Sequence, residues 1–125
     1  MTGISVLKSI HSLLSNNTEL TAIVNNKMFP LIALSDTAFP FIVYRKGSVN
    51  IEYCKDGLIA DNFNVEIIVA SKTYNESVEI AEIVRNTIEL KKIDNIKSIR
   101  LSSATEDFNE DTYIQYLTFD TKISL

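Results

Sequence analysis

The sequence predicts an α+β fold in which helices pack on one face of a mainly antiparallel sheet that contains a long central hairpin. Three patterns support this class. The chain opens with apolar residues at helical spacing, its centre alternates apolar and polar residues as a strand does, and a second helical pattern follows that strand. The resulting order, helix, helix, strand, strand, strand, helix, strand, strand, packs most simply as two layers.

Length and composition indicate one globular unit. A chain of 125 residues is long enough to bury about two-thirds of its unfolded surface in a single core. Its hydrophobic content of 46% exceeds what a disordered chain carries, and such apolar area offsets the entropy lost on ordering. We therefore expect a single domain over residues 1–125.

Charge and hydropathy exclude two classes of partner. The net charge is −4, and no cluster of Lys or Arg is dense enough to neutralise several phosphates, so tight nucleic-acid binding is not expected. No apolar run approaches the roughly 18 residues that a membrane span needs. The first residues lack a secretion signal and Cys54 has no partner for an internal disulfide, so we expect assembly in the cytoplasm.

The first third of the chain predicts two helices and a short strand. Apolar residues at helical spacing predict a helix from Gly3 to Ser15, which Asn16 and Asn17 end. A second, shorter helix is expected over Thr18–Val24. The extended piece from Lys27 to Ile32 contains Pro30, which lacks an N–H donor and so restricts this piece to a sheet edge.

The central hairpin is predicted from one long strand, Phe41–Tyr53, and an alternating strand, Ala60–Ala70. A two-residue turn would put the apolar residues of the two strands on opposite faces. A three-residue loop of Lys55, Asp56 and Gly57 avoids this, with Gly57 at a left-handed position. The predicted pairs are Tyr53 with Ile59, Val49 with Phe63, Gly47 with Val65 and Val43 with Val69.

The last part of the chain predicts a main helix and a second hairpin. Thr73 and Glu76 have the spacing of a capping box, which starts a helix that reaches about Leu90. Its packing face consists of one stripe, Ala81, Val84 and Ile88, and the residues beside it, Ile80, Ile83 and Thr87. The hairpin is expected to consist of a strand over Ile96–Ser103, an acidic loop over Glu106–Asp111, and a strand over Tyr113–Ile123.

The residues that could perform chemistry are few and isolated. His11 is the only histidine and has no second ligand or triad partner nearby, and Cys54 has no neighbouring base. Asp107, Asn109 and Asp111 match the start of a calcium loop, but threonines replace its glycine and its bidentate glutamate. The sequence therefore predicts no catalytic residue, no metal site and no cofactor.

A mismatch in length indicates a protein contact instead. A strand over Phe41–Tyr53 spans about 43 Å, whereas a helix of about 17 residues covers about 26 Å, so the hairpin extends past its helix. An apolar strip that its own chain leaves uncovered is typical of a protein contact. The predicted interface for self-assembly or for a partner consists of Val49, Ile51, Tyr53, Lys55, Asp56, Gly57 and Ile59. The alternative is a curved sheet whose own helices cover this strip.

The order and spacing of several segments carry a family resemblance over nearly the whole chain. After the opening helix come an apolar step, Met28-Phe29-Pro30, and a strand entry, Phe39-Pro40-Phe41-Ile42-Val43-Tyr44. The alternating strand ends in Val69-Ala70-Ser71, a helix contains Ala81, Val84 and Arg85, and a tyrosine-rich strand closes the chain. In this arrangement the chain resembles the tail-completion proteins, also called tail-terminator or head-tail joining proteins, of long-tailed bacteriophages and prophages.

The resemblance implies a structural protein that does no chemistry. It implies a ring of about six copies that caps the tail tube and docks onto the head connector. The implied partners are copies of the chain itself, the tail-tube protein and the head-connector protein, while DNA passes through without specific binding and no membrane takes part. The implied locations are the bacterial host cytoplasm during assembly and then the virion, at the tail end or neck. The alternatives are another neck or tail component, such as a connector stopper, a cellular adaptor of similar topology, and an enzyme.

Overall fold

The computed structural model describes residues 2–55, 57–92 and 96–124, without the side chains of Cys54 and Leu58. Its helices are α1 (Val6–Ser15), α2 (Thr18–Val24) and α3 (Tyr74–Ile88). Its strands are β1 (Met28–Pro30), β2 (Phe41–Lys46), β3 (Asn50–Cys54), β4 (Gly57–Ser71), β5 (Ile96–Asn109) and β6 (Thr112–Ser124).

The six strands form one mainly antiparallel sheet. Its order is β1-β2-β4-β6-β5, and β3 pairs with the part of β4 that extends beyond β2. Only the pairing of β1 with β2 is parallel. The short strand β1 lies at one end of the sheet, so the edge position predicted from Pro30 is confirmed.

The helices cover one face of this sheet, which confirms the predicted two-layer α+β class. Val65, Ile67 and Val69 alternate along β4 and are buried on the covered face. All six residues of the predicted packing face of α3, including Thr87, are also buried. The core joins α1, α2 and α3 to the three central strands, and its largest fully buried side chains include Phe119, Ile10, Leu14, Leu20, Ile67 and Ile123.

The prediction of one continuous strand from Phe41 to Tyr53 is wrong, because residues 47–49 separate β2 from β3. Lys46 pairs with Val65 and Asn50 pairs with Asn62, so three residues of one chain segment face two of the other. The extra residue switches the face on which side chains point. As a result Ile42 and Tyr44 of β2 face the core, and the predicted register is one residue out along β2, where Val43 pairs with Ile68.

The predicted three-residue turn is also wrong. Cys54 pairs with Gly57, which leaves Lys55 and Asp56 as the loop, and Asp56 lies outside the described residues. The register shifts next to Glu52, where Ile59 is an additional residue of β4. This bulge in the strand changes the register by one residue, which the sequence analysis expected the longer turn to do. Gly57 does have a positive φ of 124°, a backbone conformation that residues with a side chain rarely adopt.

The second hairpin is longer than predicted. Most of the expected acidic loop, Glu106–Asp111, is strand, because β5 continues to Asn109 in pairing with β6. Only Glu110 and Asp111 form the turn, with φ values of 50° and 59°. Two successive positive φ values are typical of the type I′ turn that joins twisted strands directly.

The helix starts show how side chains fix local structure. The side chain of Thr73 accepts a hydrogen bond from the N–H of Glu76, which is half of the predicted capping box. The other half passes through Ser71, whose hydroxyl donates to Glu76 and accepts from the N–H of Thr73. Helix α1 begins at Val6 and not at Gly3 as predicted, because Gly3 is bound to the sheet.

The segment before α1 is attached to the base of the β3–β4 hairpin. The N–H of Gly3 donates to the buried carboxylate of Asp61 over 2.8 Å, and the Lys46 ammonium donates to the carbonyl of Gly3 over 3.0 Å. A Cβ atom at Gly3 would lie 3.0 Å from Val49 and 3.2 Å from Asp61, so a larger residue would force these neighbours to shift. The segment before α1 therefore covers Val49 and extends no further along the hairpin.

Replacing Asp61 with Ala is expected to lower stability by about 1–3 kcal/mol, because the buried N–H of Gly3 would lose its acceptor. Asp61→Asn is the matched control, since its amide oxygen can still accept this hydrogen bond. Urea unfolding followed by circular dichroism measures the difference. If Asp61→Ala is as stable as the wild type, this attachment contributes nothing to the fold.

Candidate functional site

The outer end of the β3–β4 hairpin carries three exposed apolar side chains, which we call the apolar tip: Ile51, Tyr53 and Ile59. Their exposed fractions are 47%, 66% and 42%. Val49, which the sequence placed in the same strip, is instead half-buried against the core, next to Gly3. Lys55 and Gly57 are exposed at the turn, and Asp56 lies outside the described residues. The structure thus brings six of the seven predicted residues to one end of the sheet. Five of these six are exposed, and the sixth, Val49, is half-buried.

The opposite face of the same hairpin is polar and internally paired. The carboxylate of Glu52 accepts a hydrogen bond from the amide of Asn62 over 2.7 Å and forms an ion pair with Lys122 over 3.3 Å. These two interactions, with Asn62 the stronger, hold the pKa of Glu52 below its ordinary value. Because this face meets its own hydrogen-bonding needs, the apolar tip is the side of the hairpin that a protein contact would use.

A second uncovered surface lies at the other end of the sheet, around the β5–β6 turn. We call it the aromatic pocket, a cavity of about 370 Å³ lined by Tyr74, Glu106, Asp107, Phe108, Tyr113 and Gln115. The ring of Tyr113 lies 4.8 Å from that of Phe108 and 5.9 Å, edge to face, from that of Tyr74. Phe108 is 54% exposed and Tyr74 is 47% exposed. Paired aromatic rings with open faces are suited to receiving apolar or cationic groups.

Hydrogen bonds fix the floor of the aromatic pocket. The buried amide of Gln115 donates to Glu106 over 3.0 Å and to the hydroxyl of Ser77 over 3.3 Å. A hydrogen bond from Tyr74 to Glu106 raises the pKa of the Tyr74 phenol. Helix α3 and strands β5 and β6 therefore hold the pocket in one shape. The sequence analysis did not predict this pocket. A signal was present, because Phe108 and Tyr113 are equally far from the two-residue turn and therefore pair directly across the hairpin.

A third apolar surface lies on the loop between β1 and β2. Leu31, Ile32 and Leu34 are exposed there, beside the short edge strand. The carbonyl of Leu34 accepts a hydrogen bond from the hydroxyl of Thr37 over 2.5 Å, so the loop has internal contacts of its own. Three large apolar side chains in four residues are more than a solvated loop requires, and their continuous apolar run is the sequence signal that indicates this surface.

His11 and Cys54 are the residues that the sequence offered for chemistry. His11 is half-buried, with its ring 5.6 Å from that of Tyr44. Cys54 lies on β3, and its side chain is outside the described part of the structure. Within residues 2–55, 57–92 and 96–124, no three His, Cys, Asp or Glu side chains are grouped to hold a metal ion. None of the helices in these ranges has the length and apolarity needed to cross a bilayer.

Comparison with solved structures relates the fold to that of particle proteins. The chain is similar to a chain of the "Virion of native gene transfer agent (GTA) particle", with a TM-score of 0.77 and 13% sequence identity. The match covers 93% of this chain and 92% of the other. At this identity the likeness shows a shared fold. Comparison with curated proteins found no match.

The family itself is established by sequence. The family model described as tail completion protein gp17 matches residues 8–124, which is nearly the whole chain, and the chain belongs to this family. It is a tail completion protein of a phage-type particle and a structural component of the virion. The family expected from the order of segments in the sequence is therefore confirmed.

Proposed function

We propose that this tail completion protein forms a ring that caps the tail tube and joins it to the head connector. The observation that carries this proposal is the apolar tip, which extends beyond the cover that the chain's own helices and N-terminal segment provide. Exposed apolar side chains at the end of a rigid hairpin are suited to contact with a neighbouring copy. Repetition of one such contact around an axis closes a ring of about six subunits.

The ring performs its task by association alone. Copies of the chain contact each other through the ends of the sheet, and the two ring faces contact the tail-tube protein and the head-connector protein. The apolar loop with Leu31, Ile32 and Leu34 is separate from the apolar tip along the chain and is available for one of these partners. Assembly takes place in the host cytoplasm, and the finished ring remains in the virion at the tail end or neck.

The charge of the chain suits a passage for DNA. A net charge of −4 disfavours stable contacts with phosphates, so DNA can move through the ring without being held. No catalytic step belongs to this function, and no cofactor or metal is needed for it.

A connector stopper is the second candidate, because it uses the same kind of subunit contact at a neighbouring position. Disrupting the gene in a genome that produces particles distinguishes the two. We expect electron micrographs to show DNA-filled heads and unattached tails, and expression of the wild-type chain to restore joined particles. Empty heads beside normally ended tails would indicate a stopper, and normal joined particles would contradict both functions.

A further inference from the structure

We infer that the apolar tip of one copy docks into the aromatic pocket of the next copy, so that the subunits are joined head to tail. This inference rests on the proposed ring and names the two surfaces that form each contact in it. The occupant of the aromatic pocket is therefore a second copy of this chain.

The two surfaces lie on the same face of the sheet and at opposite ends of it. On β3, Ile51 pairs with Asp61, which precedes Phe63 by two residues and so points to the helix-covered face. At the far end of β4, Ser71 pairs with Tyr113, and Tyr113 pairs with Phe108. The tip and the pocket are thus separated by most of the length of β4, so they can meet only between two copies.

The surfaces are complementary in chemistry. The apolar tip combines an aromatic ring and two isoleucines with the ammonium group of Lys55, which has no ion-pair partner among the described residues. The aromatic pocket combines three rings with the carboxylate of Glu106, which is held in place by the amide of Gln115. Apolar groups thus face rings, and a cation faces an anion.

The pocket also has the size and the charge balance that this contact needs. A cavity of about 370 Å³ falls in the range that accepts a small organic molecule, so it has room for the ring of Tyr53. Lys72, a cation at the same end of the sheet, is turned to the Phe39 ring and to the carbonyl of Asp111. Lys72 therefore forms no ion pair with Glu106, and the negative charge of that carboxylate can attract Lys55.

A contact between two different surfaces of the same chain has a consequence for symmetry. It leaves one tip and one pocket free on every dimer, so association continues beyond the dimer and ends in a ring if the rotation between copies closes. A contact of tip with tip would instead stop at a dimer. The two arrangements therefore predict different products when two defective variants are mixed.

The test uses one variant for each surface. The tip variant carries Ile51→Ser and Tyr53→Ser, and the pocket variant carries Tyr74→Ser and Phe108→Ser. All four positions are exposed, so both variants are expected to fold, and circular dichroism checks this. Native mass spectrometry and sedimentation at about 1 mM, which detect millimolar dissociation constants, then measure the masses present.

We expect the wild type to form oligomers larger than a dimer, each variant alone to remain monomeric, and the mixture to form a 1:1 complex and nothing larger. In that mixture the pocket variant supplies the tip and the tip variant supplies the pocket. A mixture without the 1:1 complex, or a pocket variant that still oligomerises, overturns this inference and leaves the ring standing. A wild type that stays monomeric overturns the inference and also contradicts the self-association that the ring needs.

A charge reversal tests the polar part of the contact. Lys55→Glu is expected to weaken association of the wild type, because it places a second carboxylate next to Glu106. If Lys55→Glu has no effect, Lys55 does not meet the pocket.

Discussion

Replacing Ile67 with Asp is expected to unfold the protein or to leave it only marginally stable. Ile67 is fully buried at the centre of β4, between Tyr44 of β2 and Leu117 of β6 and beneath the helices. An unpaired carboxylate at this position costs several kcal/mol, which is a large part of the roughly 5–15 kcal/mol that stabilises a typical domain. Thermal unfolding measured by circular dichroism should show no cooperative transition at the wild-type temperature.

The neighbouring residue supplies the matched control for this change. Ile68 lies on the opposite, half-covered face of the same strand, opposite Val43 and Tyr116. Ile68→Asp places the same charge one residue away and is expected to cost less, because the carboxylate can reach water. Equal losses for the two variants, or a near-native Ile67→Asp protein, would show that the strand faces are assigned incorrectly.

The second large effect is expected on assembly. The Ile51→Ser, Tyr53→Ser variant should fold as the wild type does and fail to form rings or to join heads and tails. Full burial contributes about 1.5–3 kcal/mol for each large apolar side chain, and the three side chains of the apolar tip are roughly half exposed, so each contact gains about 2–5 kcal/mol. Association costs consume much of this gain, and removing two of the three groups leaves too little.

Leu90→Ser is the control for this second prediction, because Leu90 is an equally exposed apolar residue that belongs to neither the tip nor the pocket. Complementation of particles that lack the protein measures joining, and sedimentation measures ring formation. A tip variant that completes tails as well as the Leu90→Ser variant does would contradict a role of the apolar tip in assembly. A tip variant that unfolds would contradict it too, since the tip would then be part of the core.

The parts of the fold that the sequence predicted correctly are those with a strong periodic signal. Strand β4 alternates over its buried residues, and α3 combines an apolar stripe with the cap at Thr73. Strand β5 beyond Ser103 was missed because residues 104–109 are all exposed and carry no apolar period. Backbone pairing with β6 holds these residues in the sheet, and a pattern of side chains cannot show that pairing.

The break between β2 and β3 was missed for a different reason. Apolar residues occupy both odd and even positions in this region, and Ile42 and Val43 are both buried. The pattern therefore fits two registers equally well. The extra residue in 47–49 lets Ile42 of β2 and Val49 of the following segment turn to the same side. Only the paired strands decide between these registers.

The candidate site was predicted in one half and missed in the other. The apolar tip follows from a comparison of lengths, because a strand rises about 3.3 Å per residue and a helix about 1.5 Å. The aromatic pocket combines Tyr74 from α3, Phe108 from β5 and Tyr113 from β6, and these residues meet only in the folded sheet. Local patterns predict elements, whereas a pocket made from three elements depends on their packing.

A reconstruction of the tail end of the particle would show directly whether this chain forms a ring there. We expect a closed ring in which each β3–β4 hairpin, with Ile51 and Tyr53, is covered by the adjacent copy. The ring should lie between the tail tube and the head connector, with the DNA path through its centre. A single copy at this position, or a ring in which the hairpin ends project into solvent, would contradict the proposed function.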